Sequence, residues 1–312
     1  MKKIIILLCF TLIFLSGCPP SNGPKEVNVH VGTQGLEMGF FERAPPNEVF
    51  EGELFNVILE MYNLGAYDIR GGIYSLGIEE TYLSADETFD QFNVFGKSVF
   101  TPFGDRTEAR IPVFTKDLDP QTEVITSLIT ATACYSYKTQ ATAEVCIDTD
   151  IYGLRQAPKV CLPQPFGLGG GQGTPVALTL IEPRMLPHEN PQRIKPQFTI
   201  TIQNVGNGRV VMEDKIVDAC SGLGIKSEEL NVMTADVWLF DKPLDCTPKP
   251  EFATGKTALV KLKESTDVIK CTLNEGIPTT EGNYLAPLRV ELSYGYTFTI
   301  SKNVMIKKAF TR

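Results

Sequence analysis

The feature that most constrains this chain is a strand of alternating apolar and polar residues that occurs twice and ends each time in Asn-X-Gly. Residues 55–62 and 198–203 each place an apolar side chain at every second position. A period of two is the pattern of a β-strand with one buried face, and Asn-X-Gly is a turn signal. A shift of 141 residues brings Asn63 onto Asn204 and Gly65 onto Gly206. The pattern predicts two equivalent strands that stop at equivalent turns.

A second match predicts that the whole unit is duplicated. Tyr-X-Tyr occurs at residues 135–137 and again at 294–296, and the same shift of 159 residues brings 145–147 onto 304–306. The two shifts differ, so we expect longer insertions in the second unit. Matches at both ends of the unit, in the same order, favour one fold used twice.

Helix signals are few. Capping boxes at 84–87 and 227–230 precede no long apolar period, whereas short strands and turn residues alternate along the chain. We therefore predict an all-β fold with two immunoglobulin-like β-sandwich domains in tandem, at 31–163 and 175–312. A glycine-rich linker at 164–174 separates them.

The two strand-and-turn segments, 55–65 and 198–206, resemble the early strand of CARDB-type and related immunoglobulin-like modules. Such modules are common in bacterial and archaeal surface proteins, so the resemblance implies a β-sandwich fold and a place at the cell surface. It covers only part of each unit, and each unit is longer than a minimal sandwich.

The first eighteen residues predict export. Lys2 and Lys3 precede an apolar run at 4–15 that is too short to span a bilayer as a mature helix, so residues 1–17 form a secretory signal peptide. Residues 15–18, Leu-Ser-Gly-Cys, resemble the lipobox of prokaryotic lipoproteins. The resemblance implies cleavage before Cys18, acylation of that cysteine and an anchor in the membrane, with 18–30 as lipidated residue and tether. Alternatively, Cys18 is an ordinary secreted cysteine beside a conventional cleavage site.

Six further cysteines predict a disulfide framework, because an even number in an exported chain indicates pairing. Residues 134–146 are expected to form a hairpin about residue 140 that brings its two cysteines together. Cys246 and Cys271 lie in one unit and are expected to pair. Cys161 and Cys220 then remain, and they would bridge the two domains. No Cys-X-X-Cys or Cys/His cluster suggests a metal. The predicted pairs are Cys134–Cys146, Cys246–Cys271 and Cys161–Cys220.

Candidate catalytic groups are scarce. His30 and His188 are the only histidines, and Gly-X-Ser-X-Gly is absent. We predict a chain that is not an enzyme, with no catalytic residues, cofactor or metal. Asp148 with Asp150, or Asp117 with Asp119, are calcium candidates, against the alternative that both pairs are simply solvated. A net charge of −8 argues against a nucleic-acid partner.

Five phenylalanines within fifteen residues are the most unusual stretch of composition. Buried, they would fill the core of the first sandwich, which is the favoured interpretation; exposed, they would form an apolar patch for a protein partner or for lipid. The spacing of the first three fits no single strand face, so the patch stays open as an alternative. The residues are Phe89, Phe92, Phe95, Phe100 and Phe103.

Together these patterns predict a non-catalytic extracytoplasmic lipoprotein, held to the membrane by acyl chains, that acts as a binding or adhesion module for a surface protein or glycan. The alternative is a structural or accessory subunit of an envelope assembly such as a secretion, pilus or surface-layer complex. A freely diffusing ligand would favour the binding module, whereas a fixed stoichiometric neighbour would favour the assembly subunit.

Overall fold

A computed structural model describes residues 28–156, 158–249 and 255–309, and it is built almost entirely of β-strands. The predicted all-β fold class is confirmed. The signal peptide, Cys18 and most of the tether lie outside the described residues. One short α-helix and two 3-10 turns (Glu213–Lys215 and Thr279–Glu281) occur within them. The elements are β1 (Leu36–Phe40), β2 (Glu48–Phe50), β3 (Leu54–Asn63), β4 (Ile69–Gly77), β5 (Leu83–Ser84), β6 (Phe89–Val94), β7 (Asp105–Thr115), β8 (Val124–Asp148), β9 (Phe166–Gly167), β10 (Val176–Pro187), β11 (Arg193–Asn204), β12 (Arg209–Val211), α1 (Ile216–Ser221), β13 (Val232–Leu239), β14 (Lys242–Pro243), β15 (Asp245–Thr247), β16 (Ala258–Lys261), β17 (Thr266–Thr272), β18 (Ile277–Pro278) and β19 (Asn283–Lys307).

The described strands form three sheets. A four-stranded sheet has the order β1-β3-β7-β5, and a second sheet has the order β15-β17-β11-β10-β9, with β18 beside β11. The largest follows β14-β13-β19-β8-β4-β6, with β2, β12 and β16 at its margins. Side chains alternate between buried and exposed along the longer strands, and the buried faces of all three sheets contribute to one hydrophobic core. This is the layered arrangement that half-buried strands require.

Two 25-residue strands run through the centre of the molecule. β8 and β19 pair antiparallel along their whole length, from Asp148 opposite Asn283 to Val124 opposite Lys307. The predicted hairpin about residue 140 is wrong, because β8 continues straight through it. Residues 124–147 contain no Gly, Pro, Asn or Asp to make a turn, and the buried alternation persists through Thr139.

The central pair also carries the duplication. A shift of 159 residues converts the bounds of β8 into those of β19. Ser136 and Gly295 are equivalent under this shift, and they lie opposite each other in the ladder. A pseudo-twofold axis therefore passes between them, because each strand meets its own equivalent in reverse. We call the part around β1 and β3 the first half, and the part around β10 and β11 the second half.

Strand β19, from the second repeat, contributes to both halves. Its residues 288–297 pair with β13 and β12 of its own repeat, whereas residues 305–307 pair with β2 of the first repeat. The predicted domain boundaries stay a prediction, but the stretch predicted as a linker is packed: Phe166–Gly167 forms β9, and Gln172 is buried with hydrogen bonds in both directions to the backbone of Leu178.

All six cysteines at the predicted positions form disulfides. The Cys246–Cys271 pairing is confirmed, between directly opposed residues of β15 and β17. The other two predicted pairings are wrong: with no hairpin in β8, its two cysteines lie twelve residues apart on one straight strand. The cysteine of α1 bonds instead to β8, where the helix packs on β4 and β8. The observed pairs are Cys134–Cys220, Cys146–Cys161 and Cys246–Cys271.

Candidate functional site

The turn that ends β3 is fastened to the central strand by one buried asparagine. The hydroxyl of Tyr137 donates to Oδ1 of Asn63 (3.2 Å), and the amide of Gly65 donates to the same oxygen (3.1 Å). Nδ2 of Asn63 donates to the carbonyls of Tyr67 (2.7 Å) and Val94 (3.3 Å). The amide of Tyr67 in turn donates to the Tyr137 hydroxyl (3.3 Å). We call this arrangement the first clasp.

The second half repeats the clasp with equivalent residues. The hydroxyl of Tyr296 donates to Oδ1 of Asn204 (3.1 Å), as does the amide of Gly206 (3.2 Å). Nδ2 of Asn204 donates to the carbonyl of Gly208 (2.9 Å), whose amide donates to the Tyr296 hydroxyl (2.8 Å). The two sequence anchors of the duplication, Asn-X-Gly and Tyr-X-Tyr, therefore contact each other in both halves.

The two clasps explain why a glycine lies two residues after the asparagine in both halves. A Cβ atom on Gly65 would lie 2.0 Å from the hydroxyl oxygen of Tyr137, and one on Gly206 would lie 2.3 Å from that of Tyr296. Both distances are far below contact, so any larger residue displaces the hydroxyl. The glycines are needed for close approach of a side chain, in addition to turning the strand.

Four tyrosines lie side by side at the pseudo-twofold axis. Tyr135 contacts Tyr137 edge-on, with ring centroids 5.5 Å apart, and Tyr294 contacts Tyr296 in the same way at 6.4 Å. Edge-to-face contacts of buried rings are favourable. Burial raises the pKa of Tyr296 to about 12 and holds that of Tyr137 above its usual value, because the phenolate form is poorly solvated there.

A groove of about 570 Å³ lies beside the second clasp. Residues 33–38 form one side of it, residues 298–300 form the other, and the 205–208 turn closes one end. We call it the open groove. Its sides are the edge of β1 and a margin of β19, so backbone groups of both strands are available to whatever enters it.

The outer edge of β1 is unpaired among the described residues. The carbonyl of Gly35 accepts a hydrogen bond from the amide of Leu64, and the amide of Phe41 donates one to the carbonyl of Ile58 in β3, both at 2.9 Å. Hydrogen-bonded positions alternate in an antiparallel pair, so the odd-numbered residues of β1 face β3. The N–H and C=O groups of Met38 and Phe40 therefore point away from the sheet.

β19 presents a matching open stretch between β12 and β2. Lys308 donates to the carbonyl that precedes β8, whereas Met305 donates outward to the segment before β2, both at 2.9 Å. By the same alternation, even-numbered residues of β19 face β8 and odd-numbered ones face outward. The described structure places no strand against Thr299, Ser301 and Asn303, since β12 pairs only up to 297 and β2 only from 305.

In the second half, the edge equivalent to that of β1 is covered. β9 pairs with Leu180 and Ile181 of β10, and Leu168 adds a hydrogen bond to the carbonyl of Thr179 (2.9 Å). The register of the two halves equates Leu180 and Ile181 with Gly39 and Phe40 of β1. The chain itself therefore shows that a short extended segment can add to this edge.

The histidine candidate lies in a different cavity, of about 320 Å³, that Asp150 and Arg193 also line. Nδ1 of His188 accepts the amide of Asn190 (2.9 Å), and Nε2 lies 3.1 Å from the carbonyl of Asn274. Asp150 accepts two backbone amides, at 2.8 and 2.9 Å, which lowers the pKa of its carboxyl group. Both groups thus bind backbone. His30 stacks on Tyr67 instead, 5.6 Å away. The assignment as a non-enzyme stays a prediction.

Of the acidic candidates for calcium, Asp148 and Asp150 have other partners for their carboxylates. Asp148 accepts the amide of Asp150 and forms an ion pair of 2.5 Å with Lys159. The carbonyl of Asp119 accepts a hydrogen bond from Lys308. Across the described ranges, no three His, Cys, Asp or Glu side chains come together as a metal site would require.

The phenylalanines divide between the two interpretations. Phe92 is buried in the core, as the core interpretation expects, and Phe89 is exposed at the start of β6. Phe95, Phe100 and Phe103 are exposed on the connection between β6 and β7, the last two by 91% and 86%. Phe100 and Phe103 lie beyond the strand, so they have no sheet face to follow.

A scan against protein-family models gives no match, and a search of curated proteins finds no significant similarity. The resemblance to CARDB-type modules therefore stays a prediction. In the part of the chain that the structure describes, no helix is long and apolar enough to cross a membrane. The three disulfides indicate an oxidising, extracytoplasmic environment.

Sequence reasoning missed the residues that form the open groove. Met38 and Phe40 look like ordinary strand residues, and Ser301 carries no motif. The duplication offers one comparison: Phe166–Gly167 precedes β10, and the equivalent residues before β1, 25 and 26, lie outside the described part of the chain. Gly32 exchanges hydrogen bonds with residues 170 and 173, beside the other half.

Proposed function

We propose that this protein is a non-catalytic extracytoplasmic binding module, held to the membrane by acylated Cys18, that captures an extended segment of a partner protein in the open groove. The observation that carries the proposal is that no described strand pairs with the outer edge of β1 or with residues 299–303 of β19, the two strands beside this groove. Strand addition supplies affinity through backbone hydrogen bonds and specificity through alternate side chains.

The groove has the features that strand addition needs. Its outward-facing backbone donors and acceptors at Met38 and Thr299 belong to strands fixed by clasps, disulfides and the 25-residue ladder. Little ordering is therefore required of the protein when a partner enters, which lowers the entropic cost of binding. Exposed edges are otherwise a hazard for aggregation, and β9 shows the covered alternative.

Photo-crosslinking in intact cells tests the proposal. A photoreactive residue placed at Ser301 is expected to capture one protein reproducibly. Thr142 is the matched control, because the shift of 159 makes it the equivalent of Ser301. It is likewise exposed, and it lines a separate cavity that His30 and Tyr67 also line. Capture of the same protein at both positions, or of this chain alone, would contradict the proposal.

A proline variant tests the mode of binding. Ser301→Pro removes one outward N–H group while leaving the hydrogen bonds of β19 to β8 in place, because proline is tolerated where the amide faces away from the sheet. Crosslinking from a photoreactive residue at Glu37, across the groove, should then fall severalfold. Ser301→Ala retains the amide and should leave it unchanged.

The second candidate function, a fixed subunit of an envelope assembly, uses the same groove. Strand addition serves permanent assemblies as well as transient ones. A partner recovered in constant stoichiometry favours the subunit, whereas partial and exchangeable occupancy favours the binding module.

A further inference from the structure

The connection between β6 and β7 carries an apolar tip on a well-fixed base. Phe95, Val99, Phe100 and Phe103 are each more than half exposed, and Pro102 lies among them. Four large apolar side chains on one short loop form a contiguous feature that a surface in water rarely keeps without a partner.

Hydrogen bonds hold this loop in shape. Ser98 and Thr101 bond through their hydroxyl groups (2.7 Å) and through the amide of Ser98 to the carbonyl of Thr101 (3.1 Å). The amide of Gly104 donates to the same carbonyl (3.0 Å), and that of Asp105 donates to Phe95 (3.2 Å). The apolar side chains are therefore displayed by a closed turn.

The base of the loop lies beside the point where the described chain begins. Lys97 donates to the carbonyl of Gly65 (2.7 Å), and Gly96 packs against the backbone of Tyr67. The ring of Tyr67 contacts His30. Ten residues separate Cys18 from Asn28, so an extended tether reaches at most about 35 Å from the lipid anchor. A membrane that holds Cys18 is thus within reach of this side of the molecule.

The charge of the loop fits a lipid surface. Residues 95–104 contain one lysine and no acidic residue, in a chain whose net charge is −8. Aromatic and aliphatic side chains with a flanking cation are the composition that settles at the boundary between headgroups and acyl chains. Repulsion between an acidic body and anionic lipids is smallest where acidic groups are missing.

We propose that the loop at 95–104 inserts its phenylalanines into the outer part of the same membrane that holds the acyl anchor. This inference rests on the proposed acylation of Cys18. Two points of attachment would fix the orientation of the protein relative to the membrane.

Quenching by brominated lipid tests the proposal on the full-length acylated chain. Trp238 is the only tryptophan, so Trp238→Phe combined with Phe100→Trp gives a single reporter at the tip. In vesicles of phosphatidylcholine with brominated acyl chains, its fluorescence should be quenched severalfold more than that of the control. The control reporter is Leu154→Trp, at another strongly exposed apolar position beyond the end of β8. If Trp238→Phe impairs folding, the same comparison is made by difference with Trp238 retained.

Flotation of the same vesicles separates the two proposals. Protein that floats while the residue-100 reporter is unquenched, or quenched no more than the residue-154 reporter, overturns loop insertion and leaves the anchor standing. Protein that does not float refutes the acyl anchor, and an unquenched reporter then overturns insertion as well. A reporter shielded from soluble quencher in cell envelopes but untouched by brominated lipid assigns the loop to a protein partner and also overturns insertion.

Discussion

The two halves of the molecule share one fold but treat the same sheet edge differently. In the second half, β9 adds to β10 at Leu180 and Ile181, and the edge is covered by the chain itself. In the first half, the equivalent edge of β1 at Gly39 and Phe40 has no strand beside it among the described residues. The described residues thus contain one copy of this edge that the chain itself covers and one copy that no described strand covers.

The largest loss in the free energy of unfolding is expected when the disulfide that ties α1 to β8 is removed. Cys134–Cys220 closes a span of 86 residues, whereas Cys146–Cys161 closes one of 15. On the loop-entropy model, replacing the first pair by alanines lowers the free energy of unfolding by about 4.5 kcal/mol, and replacing the second by about 3 kcal/mol. Chemical denaturation of the two double variants measures both. Equal losses would show that strain or residual structure outweighs loop length.

The clasps supply the next comparison. Asn63→Ala removes four hydrogen bonds from a fully buried side chain, and Asn204→Ala removes three from a partly buried one. Because unpaired buried groups remain, we expect losses of about 4 and about 2 kcal/mol in the free energy of unfolding. Thermal or urea denaturation of both variants checks the order. A larger loss at Asn204 would contradict the difference in burial.

Opening the filled edge sharpens the comparison further. Leu168→Pro removes the amide that donates to Thr179, and we expect a loss of about 1 to 2 kcal/mol in the free energy of unfolding. Hydrogen exchange at Ile181, whose amide faces β9, should rise toward that at its equivalent in β1, Phe40. Leu168→Ala keeps the amide and serves as the control. Unchanged exchange in the proline variant would show that β9 contributes little to the edge.

The smallest expected effect is a pH dependence that comes from the hydroxyl of Tyr67, whose backbone belongs to the first clasp, and from the hydroxyl of Tyr296 in the second clasp. Burial raises the pKa of Tyr67 and of Tyr296 to about 12, with Glu291 adding to the shift at Tyr67. A folded-state pKa above the unfolded value means that the stabilisation is complete below pH 10 and is lost as the pH rises from 10 toward 12. The decline in the free energy of unfolding between pH 10 and pH 12 should be slightly smaller in Tyr67→Phe and in Tyr296→Phe than in the unchanged protein. A decline that begins well below pH 10 would contradict this assignment.

The sequence predicted those parts of the fold that local pattern determines. Alternation at 55–62 and 198–203 correctly indicated strands, and the directly opposed Cys246 and Cys271 were paired correctly. The turn predicted at residues 138–142 is wrong, because the solvent-facing polar side chains there belong to a continuous strand and no turn-forming residue is present. A solvent-facing strand position and a turn have similar composition, and only the continued period of two distinguishes them.

The groove lay beyond sequence reasoning for a different reason. An unpaired edge is defined by the strand that is not beside it, so it depends on the path of the segments before β1 and after β12. The sequences of Met38 and Ser301 carry no trace of that path. The clasps were closer to prediction, since both of their components had been recognised as repeat anchors. Their mutual contact depends on how β3 packs against β8 and how β11 packs against β19, which no local pattern contains.

The continuous pairing of β8 with β19 has a consequence for the order in which the chain can be completed. Domains usually fold one after another as synthesis proceeds from the N-terminus. Here β19, at the far end of the chain, supplies strand to both halves. Neither half is complete until β19 has been made, so strands from the whole chain must be present before the core can form. Such late completion fits a protein that folds in the oxidising, extracytoplasmic environment that its disulfides indicate.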